Sequence, residues 1–279
     1  MKKILLILLI NLCIALGFSS AQSKKSRICI NHFYLVLDSL TYKEFIQSSF
    51  ISDTLAFSYE KEVNSWKGFY LIGSDNIIEL FNTKSHKNRA FEVGDMWLCL
   101  SSLKAGVLDS LSKTVFKDYP IYKAFGYKCI DINTNNEYQP ITLWEMSKRK
   151  YKKKTKRKYY DSMNFSSTDY NDSAESDSSK SFLFQNISGI DLKISSADSI
   201  SFCTFLNNCG YTLNDHFNNK VIYNNGNEFI NLIIYETCFK PTITGIYLKL
   251  NKKVETKNVI IGNSEIQLKG YDAIWLFDK

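Results

Sequence analysis

Three imidazoles are present among 279 residues, at His32, His86 and His216, so chemistry that needs one is narrowly placed. His32 stands in "CINHFYLVLDSLTYKEF", early in an alternating apolar run and shortly before a helix start. There it is either a metal ligand or a polar residue closing a strand end. His86, in "NTKSHKNRA", and His216, in "NDHFNN", read as loop residues. A serine or cysteine nucleophile would need one of these three as its base, and no local pattern nominates a pair. No G-x-S-x-G, glycine-rich phosphate loop or H-E-x-x-H occurs. Trp66, Trp97 and Trp144 are candidate wall residues for a cleft, with core packing as their alternative use.

The elements that position these side chains recur. "INHFYLVLD" puts Phe33, Leu35 and Leu37 on one face and His32, Tyr34 and Val36 on the other. Thr41 and Glu44 read as a capping box for a helix carrying Tyr42, Phe45, Ile46 and Phe50. That helix can cover the Phe33 face, leaving His32 and Tyr34 turned toward whatever the sheet encloses. "LAFSYEKEV", "WKGFYLIG" and "NIIELFN" follow as strands, which completes a β-α-β-β-β unit. "VGDMWLCLS" opens a second unit, with Leu103, Val107, Leu108, Leu111 and Val115 at helical spacing. "ISGIDLKIS" opens a third, whose helix starts at Asp198 or Ser199 and stops at Gly210, before a hairpin around Asn225-Gly226. A final unit, "TGIYLKL" to "GYDAIWLFD", has strands but no convincing helix. An internal repeat of strand, helix and meander organises the chain.

The ends and the charge bound the compartment. Lys2 and Lys3, the apolar stretch Ile4 to Phe18, and Ser19 and Ala21 form a secretory leader over residues 1–21. That stretch is short for a membrane span, and no second candidate follows. The expectation is an exported protein, periplasmic or secreted, with no transmembrane segment. Cys13 follows Leu12, too large for the small residue of a lipobox. The remaining six cysteines form no C-x-x-C pattern and read mostly as small hydrophobes. The formal charge of +7 is local: the run Lys148 to Lys158, "KRKYKKKTKRK", holds nine basic residues. Removing those and two leader lysines from the total of 35 leaves 24 basic against 28 acidic residues. This run and the Ser/Asp-rich stretch after it read as a linker, 147–181, between folded lobes at 22–146 and 182–279.

"INHFYLVLDSLTYKEF" resembles the opening strand and helix of the vicinal oxygen chelate superfamily, the glyoxalase and bleomycin-resistance fold. "GFYLIGSDNIIELF" resembles its closing hairpin. The chain after the leader is similar to a family of uncharacterised, exported glyoxalase-like proteins. The resemblance implies an α+β fold: repeated β-α-β-β-β modules forming curled mixed sheets around a cleft, in a full first lobe and a reduced second one. It also implies metal ligands from the first-strand histidine and last-strand glutamate of each module. His32 and Glu79 match those places, and face parity agrees. In the second module Asp95 stands for the histidine and Glu145 lies near the glutamate place; in the third, Gly189 and Asn231 cannot chelate in the same way. The implied ion is divalent (Mn, Fe, Ni or Zn), although one histidine and three carboxylates suit zinc poorly. The metal-free alternative hydrogen-bonds His32 to Glu79 in a polar pocket.

The reading that follows is an exported small-molecule-binding protein without turnover or cofactor, its cleft built on His32, Tyr34, Glu79, Asp95, Trp97 and Glu145. One alternative is a metal-dependent lyase, isomerase or dioxygenase in which Glu79 or Glu145 moves the proton. Another is an envelope-associated protein that meets anionic material through residues 148–158. No nucleic-acid partner is expected, because no aromatic platform is interleaved with the basic run.

Overall fold

The computed structural model describes residues 28–132, 140–147, 149–150, 181–237 and 240–277. The leader 1–21, nearly all of the 147–181 segment, and Cys13 and Cys238 lie outside the described residues.

The alternating run after Cys29 forms β1 (Ile28–Leu37). Asp38 ends the strand and caps α1 (Ser39–Gln47), accepting from the N–H groups of Leu40 and Thr41 at 3.0 Å each. The expected capping box is therefore displaced by one turn. Thr41 sits inside the helix, its hydroxyl donating to Asp38, and Glu44 accepts instead from the distant Gly262 N–H. A single π turn (Ile51–Leu55) leads into β2 (Phe57–Val63), β3 (Trp66–Ile72) and β4 (Ile77–Asn82).

The second module comprises β5 (Met96–Ser102), α2 (Val107–Leu111), β6 (Tyr122–Ala124), β7 (Tyr127–Asp131) and β8 (Ile141–Met146). Its helix is shorter than the Leu103–Val115 periodicity implied, because Gly106, at φ 79°, starts it late and turns replace it after Leu111. The third module is β9 (Phe184–Ser195), α3 (Ser199–Asn208), β10 (Thr212–Phe217), β11 (Lys220–Asn224) and β12 (Phe229–Tyr235). The long hairpin β13 (Thr242–Ile261) and β14 (Ser264–Phe277) follows, without a helix of its own among the described residues. His216 lies on β10, an exposed edge strand, rather than in a loop.

The described strands form two mixed sheets. The first runs β2-β3-β4-β1-β5-β8-β7-β6, the second β10-β11-β12-β9-β13-β14. In each full module the first and last strands pair in parallel: β1 with β4, β5 with β8, β9 with β12. The first two modules meet through antiparallel β1 and β5. The fold is thus α+β, built of repeated modules in sheets that do not close into a barrel.

One apolar cluster receives a face from each sheet. Phe33 and Leu35 of β1, Phe45 of α1, Leu192 of β9 and Trp275 of β14 all belong to it. Trp275 stacks on Phe45 with centroids 4.6 Å apart and planes at 16°. Polar side chains also cross between the sheets. Where the β1–β5 register slips between Ile30 and His32, the Ile30 N–H donates to Glu228 at 2.5 Å and its carbonyl accepts from Asn76 at 2.6 Å. The same Asn76 accepts from the Ile187 N–H at 2.7 Å. The strand that carries His32 is therefore fixed from the second sheet. The described cysteines are free thiols, and no helix among the described residues is long and apolar enough to cross a membrane.

Candidate ligand-binding cleft

Strand alternation sends Phe33, Leu35 and Leu37 into the core, so His32 and Tyr34 point out of the opposite face of the first sheet. Register then sets their neighbours. Tyr34 lies between Glu79 on β4 and Trp97 on β5, and Glu79 lies beside Tyr70 on β3. His32 lies between Ile77 and Cys99, with its ring 4.9 Å from Trp144 and 5.6 Å from Trp97. These side chains floor a cleft of about 400 Å³. Of its sixteen described lining residues nine are Phe, Tyr or Trp, so these walls are chiefly aromatic. Gly68 on β3 makes room for one of them: a Cβ there would stand 2.5 Å from the Phe81 ring. The Trp97 indole is held by donation to Thr142 at 2.8 Å, and Thr142 in turn donates to Asp131.

His32 and Glu79 face each other in this cleft. Nδ1 of His32 lies 2.6 Å from Asn31 Oδ1, so Nδ1 carries the proton and Nε2 turns its lone pair to the cleft. Nε2 stands 3.8 Å from Glu79 Oε1, too far for the hydrogen bond of the metal-free expectation. Burial pushes the His32 imidazole down to about 3. Burial also pushes Glu79 up to about 7, against a hydrogen bond from Tyr70 and the nearby charge of Lys61, which both lower it. At neutral pH the pair is a neutral ring beside a partly protonated carboxyl.

Asp95 and Glu145 stand elsewhere. Asp95 precedes β5 in a turn, where it accepts from the Glu92 N–H at 2.9 Å and from Lys240 Nζ at 3.2 Å. Glu145 is fully buried on the opposite face of β8, accepting from Ser102 Oγ and from the N–H groups of Gly106 and Leu108, each at 3.0 Å. It caps α2. The cleft-facing residues of β8 are Trp144 and its alternation partner Thr142, so the glutamate is one residue out of register for the cleft. In the third module the Phe229 ring occupies the place above Gly189, where a Cβ would come within 2.3 Å of it, and Asn231 donates to Asp191 at 2.5 Å.

From His32 and Glu79 a divalent ion would thus draw one imidazole nitrogen and one carboxylate. Among the described residues no group of three or more His, Cys, Asp or Glu side chains could hold a metal. Transition-metal sites that keep open positions for substrate ordinarily draw three protein donors, so this donor set does not fit one.

The structure also brings in residues that the sequence did not nominate. His86, from the loop after β4, bridges to Trp66 and accepts from the Asn88 N–H at its Nδ1. Tyr70, Phe81, Phe91, Phe125 and Tyr127 add rings, and Lys61, Arg89 and Lys150 add positive charge. Alternation along "WKGFYLI" and "IIELF" is the signal that could have found Tyr70 and Phe81, since each shares a strand face with a nominated residue. The loop residues have no such signal.

Residues 30–277 match the model of a family of unknown function, DUF5829. No curated protein matches the chain. Among solved structures, a hypothetical protein from Staphylococcus aureus is similar with a TM-score of 0.51 at 10% identity, over 87% of this chain and 98% of that one. A mutant of 4-hydroxymandelate synthase from Streptomyces coelicolor is similar at a TM-score of 0.40 and 7% identity, over 77% of this chain and 69% of that one. A xylose isomerase-like TIM barrel/4-hydroxyphenylpyruvate dioxygenase fusion protein gives 0.44 and 11%, over 77% of this chain and 33% of that one.

Proposed function

Since the chain belongs to this family of unknown function, its activity has to be read from the cleft, and we propose that it binds a small molecule there without turning it over. The observation that carries this reading is the cleft itself: an aromatic cavity of about 400 Å³ on the outer face of the first sheet, where no group of three or more His, Cys, Asp or Glu side chains among the described residues could hold a metal. Cavities of this size, apolar with a few placed polar groups, are what small ligands occupy. His32 and the Tyr70–Glu79 pair orient the ligand by hydrogen bonding. Export by the 1–21 leader belongs to the same proposal, and an intact mass beginning at Gln22 checks it.

Metal analysis of the purified protein tests the central claim. The expected result is no stoichiometric Mn, Fe, Ni or Zn and a melting temperature indifferent to chelator. A near-equimolar metal that disappears in His32→Ala would favour the metal-dependent lyase, isomerase or dioxygenase reading instead. The observation on that side is the Nε2 lone pair of His32 turned toward Glu79 at 3.8 Å.

A further inference from the structure

Phe125 occupies a backbone position that suits it poorly. With Gly126 it makes the two-residue turn between β6 and β7, at φ 50° and 86°. Two central residues with positive φ match the hairpin turn that Asn-Gly or Asp-Gly forms readily. A bulky L-residue there costs about 1–2 kcal/mol. Nor does the ring recover this by burial, being 89% exposed. It nevertheless lines the cleft, and Lys150 fastens its turn by donating to the Phe125 carbonyl at 3.1 Å while lying 4.0 Å over the Tyr127 ring. A strained, solvent-facing aromatic at a cavity mouth is the arrangement expected when the ring serves a ligand rather than the fold.

Charge at the mouth narrows the ligand. Among the described lining residues, Lys61, Arg89 and Lys150 stand against one carboxylate, that of Glu79, and Lys150 is the third residue of the basic run that starts at Lys148. Arg89 is exposed, with its guanidinium 5.4 Å over the Phe91 ring. We propose that the cleft takes a planar aromatic acid, its ring covered by Phe125 and its anionic group received by the rim cations, Arg89 foremost. This rests on reading the cleft as a small-molecule site, and it makes Phe125 a specificity-determining residue.

Calorimetric titration of the full-length chain with four probes tests it: 1-naphthylacetate, 1-naphthylacetamide, 1-naphthylmethylamine and cyclohexylacetate. Naphthylacetate should bind about tenfold tighter than the amide and the aliphatic acid, as a charge-assisted bond to a guanidinium allows, and its affinity should fall with added salt. Arg89→Gln should erase most of the preference for acid over amide. Phe125→Asn should raise Tm by about 2–4 °C by relieving the turn, yet weaken naphthylacetate about two- to tenfold. A merely structural role for Phe125 would not move those two readouts in opposite senses. If the amide or the amine binds as tightly as the acid, the anionic assignment is overturned while the small-molecule cleft stands. If Phe125→Asn leaves affinity unchanged, the role of Phe125 is overturned. Failure of all four probes to bind at millimolar concentration would overturn both the inference and the reading beneath it.

Discussion

Burial acts on His32 and Glu79 in opposite directions, and each leaves its own trace in the dependence of stability on pH. For Glu79 the folded value of about 7 lies above the ordinary 4.5. The folded state therefore holds the proton more tightly, and its stabilising contribution is full below pH 4.5 and lost as pH rises through 7. The loss amounts to roughly 3 kcal/mol at one pH unit per 1.36 kcal/mol. For His32 the folded value of about 3 lies below the ordinary 6.5, so its contribution is full above pH 6.5 and lost as pH falls toward 3. Glu228, also pushed up to about 7 by burial, adds a second slope of the Glu79 kind. In urea melts between pH 5 and 8, Glu79→Gln should gain stability over the parent as pH rises, while keeping the slope that belongs to Glu228. His32→Gln should flatten the acid limb below pH 6.5. Parallel curves for Glu79→Gln and the parent would mean that the Glu79 carboxyl is not held in its buried state.

At the scale of elements, a strand whose two faces differ in side-chain chemistry was legible, and a strand apolar on both faces was not, although both are buried on either side. "INHFYLVLD" alternates cleanly, and its outward residues His32 and Tyr34 are those that line the cleft. "ITLWEM" is apolar on both faces, with Ile141 and Leu143 in the main core and Trp144 and Met146 in a second cluster. Such a strand carries no alternation by which to place Glu145. Asp95 was illegible for a different reason. Its partner Lys240 is 145 residues away, and no local pattern encodes a contact of that range. The displaced cap belongs here too, since Thr41 and Glu44 have the spacing of a capping box but serve a distant hairpin tip. Glu145→Ala should therefore behave as the loss of a cap. It strips one acceptor from three donors, at roughly 1 kcal/mol or more for each, so equilibrium unfolding should show a loss of about 3 kcal/mol. Naphthylacetate affinity of the folded variant should stay within about twofold of the parent, because Glu145 lies on the far face of the sheet. A collapse of affinity with stability intact would return Glu145 to the cleft.

For the whole molecule, the module repeat was readable because each of the three full modules carries its own strand, helix and meander, whereas the way the sheets meet was not. The contacts that join them span the chain: Asn263 N–H donates to Thr41 Oγ1 at 2.8 Å across 222 residues, and Ile30 N–H donates to Glu228 across 198. Gly262 is required at that junction. Its φ is 55°, and a Cβ would lie 2.4 Å from the Thr41 Cα. A division into lobes at 22–146 and 182–279 follows the sequence composition, but the apolar cluster belongs to both sheets at once. Neither sheet can then keep its inner face dry without the other, and the two should unfold together. Trp275→Ala is the direct test. Trp275 is fully buried and stacked on Phe45, so the truncation should cost about 3–5 kcal/mol. Calorimetry should show one lowered transition, with the cleft tryptophans Trp66, Trp97 and Trp144 reporting the same midpoint as backbone circular dichroism. Those indoles sit on the far side of the first sheet from the mutation, so a coincident midpoint requires the lesion to reach the cleft through the shared core. Two separated transitions, with the first sheet and its cleft melting as in the parent, would make the lobes independent domains and sink the single-core account.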